Sequence, residues 1–438
     1  MIVGASIAGL TAAAAVADQF DEVVVLERDR LPDAPAPRRG VPQGDHGHVL
    51  LISGARALEE LFPGLAADLR AAGAVALADL GTDMTFFRYG VRYRPMPLHL
   101  PLQSFTRPLL ETVIRGRVGG LPAVHIRDGV TVAGLAGDRH TVTGVRVDGD
   151  VLDADLVVDA SGRGSRSDRW LADLGHRAPD AVEVKIGVHY TTRLFTRTEG
   201  DFTDGRCVLV LPAPKTERRV GLAFPVEGDR WLISMGGWHN AGAPQSAEEF
   251  RAYARSLPYQ PLSALVERAE PLTELVTHRF PASRRRHFER LRHPPAGYVA
   301  VGDAVCSFNP VYGQGMTCAA LEALALRSTV ERHGTGSARL PAAFARTVGR
   351  IVATPWRFAT GGDFAFPETT GPRPPGIDWL NKYTEKIQLA AQTSVPVRRA
   401  FIDVQQLLAP PSVLFRPAMV AHVLRTAKRN GAVVAPAG

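Results

Sequence analysis

Met1-Ile2-Val3-Gly4-Ala5-Ser6-Ile7-Ala8-Gly9-Leu10 opens the chain, and Asp21-Glu22-Val23-Val24-Val25-Leu26-Glu27 follows shortly after it. The two apolar residues before Gly4 read as a strand. The alanine-rich stretch from Leu10 to Val16 reads as a helix, and the β-branched run ending in Glu27 as a second strand. Strand, glycine turn, helix and strand in this order are the local pattern of a dinucleotide site. Gly4 makes the tight turn, and Gly9 lets helix and strand pack closely. The helix start, with Ser6 and Ala8, offers unpaired N–H groups and a partial positive charge to a pyrophosphate. Glu27 falls about 20 residues after the glycines, where a carboxylate accepts hydrogen bonds from ribose hydroxyls. Arg28 follows it directly. Ser6 stands where the fingerprint has its middle glycine. A plain βαβ unit is the bland reading of the same residues. With only Ile2 and Val3 before Gly4, either the strand is short or the natural chain begins further upstream.

The length of 438 residues suggests two or three domains at roughly 100–200 residues each. Apolar residues make up 45% and charged residues 22%, which excludes a disordered chain, a collagen-like repeat and a disulfide-stapled miniprotein. Cys207, Cys306 and Cys318 have no metal-ligand spacing, so no metal site is expected. A sparse, odd thiol count fits a reducing, cytoplasmic compartment. The formal charge is +7, but the arginines are scattered over the whole chain, which argues against a nucleic-acid partner. The one dense cluster, Arg284, Arg285, Arg286, Arg290 and Arg292, reads as a solvated approach to the next strand. No stretch of about 18 uncharged apolar residues suggests a spanning helix.

Two further glycine motifs follow. Leu156-Val157-Val158-Asp159-Ala160-Ser161-Gly162 is an apolar strand ending in a loop, placed after a hairpin read over Thr141–Val147 and Val151–Val158. The most specific stretch is Gly297-Tyr298-Val299-Ala300-Val301-Gly302-Asp303-Ala304. Val305-Cys306-Ser307-Phe308-Asn309-Pro310-Val311-Tyr312-Gly313-Gln314-Gly315-Met316 continues it, and Thr317–Arg332 then reads as a long helix stopped by Gly334. A buried strand ends in a carboxylate, and a rigid Pro/Gly loop follows. A helix then points its N-terminus back at the same place, suited to hold a ribityl hydroxyl and stabilise a developing anion.

The three motifs, in this order and spacing, resemble the single-component FAD-dependent monooxygenases of the aromatic-hydroxylase and squalene-epoxidase superfamily. Within that class, the run from Gly302 to Met316 resembles bacterial natural-product epoxidases and hydroxylases, including polyether-type epoxidases. Arg39-Gly40-Val41-Pro42-Gln43-Gly44 and Ser104-Phe105-Thr106-Arg107-Pro108-Leu109-Leu110 resemble two further family segments.

The resemblance implies an α/β (α+β) fold: a Rossmann-like FAD-binding domain with an inserted β-sheet substrate domain and a C-terminal helical region. The implied boundaries are residues 1–171 and 286–334 for the two parts of the FAD-binding domain, 172–285 for the sheet domain and 335–438 for the helices. It implies FAD as cofactor and NADPH or NADH as reductant. O2 and a small apolar natural-product intermediate would be the substrates, one oxygen atom passing to an alkene or arene. Gly4, Ser6, Ala8, Gly9, Glu27 and Arg28 would line the FAD pyrophosphate and ribose, and Val132 would touch adenine through its backbone. Arg39 and Arg107 would sit near the phosphates or ribityl chain. Asp159, Gly162, Gly302, Asp303 and Gly313 would complete the cofactor site. Gly315 and Met316 would offer N–H groups to the flavin edge, with Pro310 over the flavin face. No acid or base is assigned, because the cofactor carries the chemistry. One departure is Ala160-Ser161-Gly162, where family members often carry Ala-Asp-Gly.

The middle region reads as strands over Val182–Leu194, Cys207–Leu211, Arg219–Pro225 and Arg230–Gly236. His189, Tyr190, Phe224 and Met235 are the substrate-pocket candidates, with Trp231 and Trp238 beside them. Plain sheet core is the alternative for each. His46 and His48 lie either near the flavin or in a structural loop. After Gly334, helices are expected over Phe344–Phe358, Ile377–Thr393 (ended by Pro396), Val397–Leu408 and Pro417–Lys428. The last of these, basic and amphipathic, reads as a helical cap, with membrane contact at most peripheral. The same residues are also compatible with a geranylgeranyl-reductase-like alkene reductase and with a flavin-binding protein without turnover. The Trp-x-Trp-x-Ile-Pro signature of flavin halogenases is absent.

Overall fold

The computed structural model describes residues 1–202 and 206–434. Its centre is a five-stranded, all-parallel sheet in the order Tyr298–Ala300, Val157–Asp159, Ile2–Val3, Val23–Glu27, Val124–Asp128. All five residues of Val23–Glu27 are buried, as a strand covered on both faces requires. The first helix, Ile7–Val16, is buried nearly all round. Its alanines allow close approach of the long helix Gly315–His333, and the two pack together over this sheet. Gly334 ends the long helix with φ +79° and bonds back to the Val330 carbonyl.

The expected hairpin is only partly present. Val142–Val147 pairs with Asp150–Asp153 and with Val132–Gly137 in a small antiparallel sheet. Val157–Asp159 leaves it and joins the parallel sheet beside Ile2–Val3. The reason is burial. Asp150–Asp153 is largely exposed, whereas Leu156, Val157 and Val158 are consecutive apolar residues, all buried.

An eight-stranded sheet forms the second layer, ordered Cys306–Ser307, Val276–Arg286, Ala181–Thr196, Arg230–Gly237, Arg219–Val226, Cys207–Val210, Met84–Arg88, Val91–Arg92. Most of it comes from the middle of the chain, but its two ends are drawn from earlier and later segments. One face packs on the helices Ala247–Ser256 and Gln260–Arg268. The other turns toward the parallel-sheet layer, where Gly47 lies against Leu222 and Leu232.

The arginine cluster divides: Arg290 and Arg292 are exposed, as expected, but Arg285 and Arg286 are not. Arg286 is 1% exposed and Arg285 is 9% exposed. Arg286 pairs with Asp168 at 3.2 Å and donates to the Ala304 and Ser165 carbonyls, while Arg285 pairs with Glu289 at 2.7 Å. These arginines brace the sheet against the Gly302–Ala304 turn.

The C-terminal helices are Leu340–Asp363, Ile377–Ala391, Val395–Gln405 and Pro417–Val434. Pro396 does not end a helix. It lies in the first turn of Val395–Gln405, where a missing N–H costs nothing, and the preceding helix has already stopped at Ala391. Among the described residues, no helix is long and apolar enough to cross a membrane.

Candidate active site

The three glycine motifs meet at one point. A Cβ on Gly4 would lie 2.6 Å from the Ala160 carbonyl oxygen, so the first motif touches the second. A Cβ on Gly302, at φ +62°, would lie 2.8 Å from the Ala8 Cβ, so the third motif touches the first. Gly9 can only be glycine, because any side chain would collide with the Gly4 carbonyl. Two helix N-termini open onto this point. The first intrahelical bonds are those of Leu10 to Ser6 and of Cys318 to Gln314. The amides of Ile7, Ala8 and Gly9, and those of Gly315, Met316 and Thr317, therefore stand outside the helical ladders.

A ring of charged and polar side chains surrounds the first helix. Glu27 is buried and accepts from the Ala5 amide (2.8 Å) and the Asp29 amide (3.0 Å). Ser6 Oγ donates to Glu111 (2.8 Å) and accepts from Arg107 (2.8 Å). His48 Nδ1 donates to the His46 carbonyl (2.9 Å), which leaves its Nε2 to accept from Arg107 (3.4 Å). Burial and the adjacent Arg107 guanidinium hold His48 neutral, with its pKa lowered to about 3. Val132 opens its strand just after Val130, whose amide bonds the Glu27 carbonyl.

The sequence-based candidates in this region divide. Arg28 and Arg39 are exposed. The neighbour Arg38 instead enters the ring, pairing with Glu27 (3.2 Å), Asp29 (3.0 Å) and Glu111 (2.7 Å). In Arg38-Arg39 only the direction of the loop decides which side chain turns inward. Asp159 is also placed differently from the expectation. It is fully buried, and its carboxylate is taken up inside the protein by Ser161, Ser165 (2.6 Å) and Tyr298 (3.0 Å). It braces the second motif, whereas Gly162, at φ +77°, has open space around it.

The Gly-Asp turn is held from behind. The Gly302 amide donates to Glu322 at 2.6 Å, and burial raises the Glu322 pKa to about 8. Asp303 then faces forward. Its carboxylate has no hydrogen-bond partner among the described residues, burial raises its pKa, and the Arg107 and Arg163 charges oppose that rise. Among the described residues, only Asp303 Oδ1, at 3.6 Å, lies near the space a Gly315 side chain would fill. Pro310 begins the short turn Pro310–Tyr312, capped by Asn309, and Gly313 closes it at φ +66°. Gln314 heads the long helix. It is 1% exposed, and both its side-chain amide atoms lack a partner among the described residues. In the sequence Gln314 carries no signal beyond its place in the motif.

The pleat of the large sheet sorts the substrate candidates. Successive side chains on a strand point to opposite faces, so the adjacent His189 and Tyr190 cannot share one. Met235, opposite Thr191, is fully buried with Phe250 and Leu262 under the covering helices, and Trp231 lies in the same cluster. His189 lines an open cleft of ≈ 440 Å³ with Arg163, Lys185 and Glu368. Neither His189 nor Met235 reaches the inner face. Tyr190 and Phe224 do. Phe224 packs with Leu77, Cys207 and Leu222. Tyr190 joins His46 (ring centroids 4.7 Å) and His278 (5.5 Å). His46 Nδ1 bonds Thr192 Oγ1 at 2.6 Å, and Thr192 bonds Ser234 in turn. Burial lowers the His46 pKa to about 3, so its ring is neutral, and its Nε2 has no partner among the described residues.

Comparison with known proteins bears on the fold and the family. No family model matches the chain. A flavoprotein/dehydrogenase from Cytophaga hutchinsonii is similar at a TM-score of 0.70 and 15% identity, over 99% of this chain and 98% of that one. A triple mutant of the flavin-dependent brominase Bmp2 follows at 0.68 and 15%, over 98% of both chains. p-Nitrophenol 4-monooxygenase PnpA from Pseudomonas putida DLL-E4 gives 0.66 and 17%, over 93% and 97%. These likenesses establish the α/β fold with its parallel sheet and C-terminal helices. Protein Rv3254 of Mycobacterium tuberculosis is 33% identical over 456 aligned positions, covering 97% of this chain and 94% of that protein. On that identity, along nearly the full length of both chains, the protein belongs to the same family as Rv3254.

Proposed function

We propose that the protein is an FAD-dependent monooxygenase, using NAD(P)H and O2 to epoxidise or hydroxylate a small apolar intermediate. One observation carries the reading. Two helix N-termini, the unpartnered Asp303 carboxylate and the buried Arg107 all converge where the three glycine motifs meet, beside the inner face of a large sheet. The donor set suits the cofactor. Arg38 Nη2, Arg107 Nε, Arg163 Nη1 and the Gln314 amide are buried polar atoms without a hydrogen-bond partner among the described residues. Buried unpaired donors are costly, and phosphate, ribityl and flavin-edge oxygens would satisfy them.

Bound FAD would supply the activation of O2 and the oxygen transfer. The chain's own residues do the rest. The first helix N-terminus and Arg107 bind the pyrophosphate, and Glu27 orients the ribose. Asp303, turned forward by Glu322 behind it, holds the ribityl chain. The Gly315 and Met316 amides place a helix dipole against negative charge at the flavin edge. The Asn309–Tyr312 loop, carrying Pro310, covers the flavin face, and the inner face around Tyr190 excludes water from the substrate side. The neighbours named as a brominase and a monooxygenase share this fold and support the reading.

The test is an absorbance spectrum of the purified protein, before and after FAD and then NADPH under air. Oxidised-flavin bands that NADPH bleaches, with O2 consumption, are expected. Asp303→Ala should purify with little FAD, and Glu27→Ala should bind it more weakly. Protein that stays colourless after incubation with FAD refutes the reading. NADPH oxidation without any O2 requirement would favour alkene reduction instead.

A further inference from the structure

We propose that Asp363, the last residue of the first C-terminal helix, is the positioning residue that holds the Asn309–Tyr312 loop and ties it to the large sheet. Asp363 is fully buried. Its Oδ1 collects three donors: Asn309 Nδ2 at 2.8 Å, Trp238 Nε1 at 3.1 Å and Tyr312 OH at 3.3 Å. Asn309 and Tyr312 flank Pro310 in the loop. Trp238 directly follows the strand Arg230–Gly237 and stacks on Phe366 at 5.1 Å. One carboxylate oxygen thus joins three separate parts of the chain.

Two further features fit this role. Any side chain at Gly362 would collide with the Tyr312 hydroxyl, so the helix is cut back where the tyrosine reaches over it. Asn309 is doubly used: its Oδ1 accepts from the Val311 amide at 3.2 Å while its Nδ2 is held by Asp363. The loop's internal turn and its external anchor therefore share one residue. All three donors are neutral and Oδ2 has no partner among the described residues, so burial raises the Asp363 pKa to about 7. The site keeps a costly buried carboxyl in return for a fixed loop. Without it, an indole, an amide and a phenol would be left as buried donors with nothing to bond.

The link to flavin chemistry rests on the monooxygenase reading, because only that reading places the loop over a flavin. The loop-holding role does not depend on it. The first test is therefore hydrogen–deuterium exchange of the segment 305–316 in the cofactor-free protein. Asp363→Ala should accelerate exchange there by about tenfold or more, because three donors lose their one shared acceptor. Asp363→Asn should stay close to wild type, because the amide oxygen accepts from the same three donors. Tyr312→Phe removes one donor and no acceptor, and should give a smaller acceleration even if Asp363→Ala does not fold. The second test is the visible spectrum of FAD-loaded protein. Asp363→Ala should shift the flavin bands while retaining bound FAD, and Asp363→Asn should not. Unchanged exchange in Asp363→Ala, or in Tyr312→Phe if the first variant does not fold, overturns the proposal. Wild-type protein that takes up no FAD, with exchange altered as expected, refutes the monooxygenase reading and leaves Asp363 as the anchor of the loop.

Discussion

Replacing Glu322 by glutamine should stabilise the protein at neutral pH and leave its stability unchanged near pH 4.5. Glu322 lies inside the long helix, fully buried, with one oxygen accepting from the Gly302 amide and the other unpartnered. Burial, reinforced by the nearby Asp303 charge, raises its pKa from 4.5 to about 8. The sign follows from proton counting. Between these values the folded protein keeps the Glu322 proton and the unfolded chain has lost it. Stability therefore falls as pH rises through 4.5 and levels off above about 8. At pH 7 the gap is about 2.5 units, or about 3 kcal/mol, and at pH 8 and above about 5 kcal/mol. Glutamine keeps an oxygen for the Gly302 amide and carries no titrating proton. Its amide nitrogen takes the place of an oxygen that already has no partner, so the baseline should barely move. Urea unfolding of the cofactor-free protein and the variant at pH 5, 6, 7 and 8 would measure the difference. Two stability curves separating by about 1 kcal/mol or more per pH unit are expected. Parallel curves, or a variant less stable at every pH, would refute the reasoning. Flavin uptake should be unchanged in Glu322→Gln, since the turn that aims Asp303 is still held.

Other expectations follow from the same geometry. Arg107→Met should weaken FAD binding by about 10- to 100-fold in a fluorescence titration, the worth of one charge-assisted contact, and an unchanged Kd would count against a phosphate-facing Arg107. Met235→Ala should lower stability by about 2–5 kcal/mol in urea and leave FAD affinity unchanged, because the side chain lies under the covering helices. Altered flavin binding with intact stability would restore Met235 to the site. Arg286→Met removes one of the two arginine partners of Asp168, leaving Arg284 at 2.9 Å, and uncovers the Ser165 and Ala304 carbonyls beside the Gly-Asp turn. Two buried carbonyls left without a donor should cost about 2–4 kcal/mol in thermal or chemical unfolding and weaken FAD binding with it.

The local signals in this chain were legible because they arise from short-range sterics. A strand, a glycine that must turn with φ +106° at Gly4, and an apolar helix are decided within a dozen residues. The Gly297–Met316 stretch is readable for the same reason, and so were the helix stop at Gly334 and most strands of the large sheet. Which side chains meet was not legible in that way. His189 and Tyr190 are neighbours in sequence and lie on opposite faces, and only the packed layers reveal which face looks inward. Arg38 and Arg39 are chemically alike, and the loop's path alone brings Arg38 to Glu27 and Glu111. Asp159 sits where a cofactor ligand was expected, yet Ser161, Ser165 and Tyr298 already satisfy it. Asp363 lies 54 positions from Asn309 and 125 from Trp238, so no local pattern could mark it. The sequence by itself determined the opening strand–turn–helix–strand unit, the later Gly-Asp turn and long helix, their order and the place of the glycines, since backbone sterics act over a few residues. The tertiary structure alone decided which charges close the site and what holds its loop, because those contacts form only when distant segments are packed together.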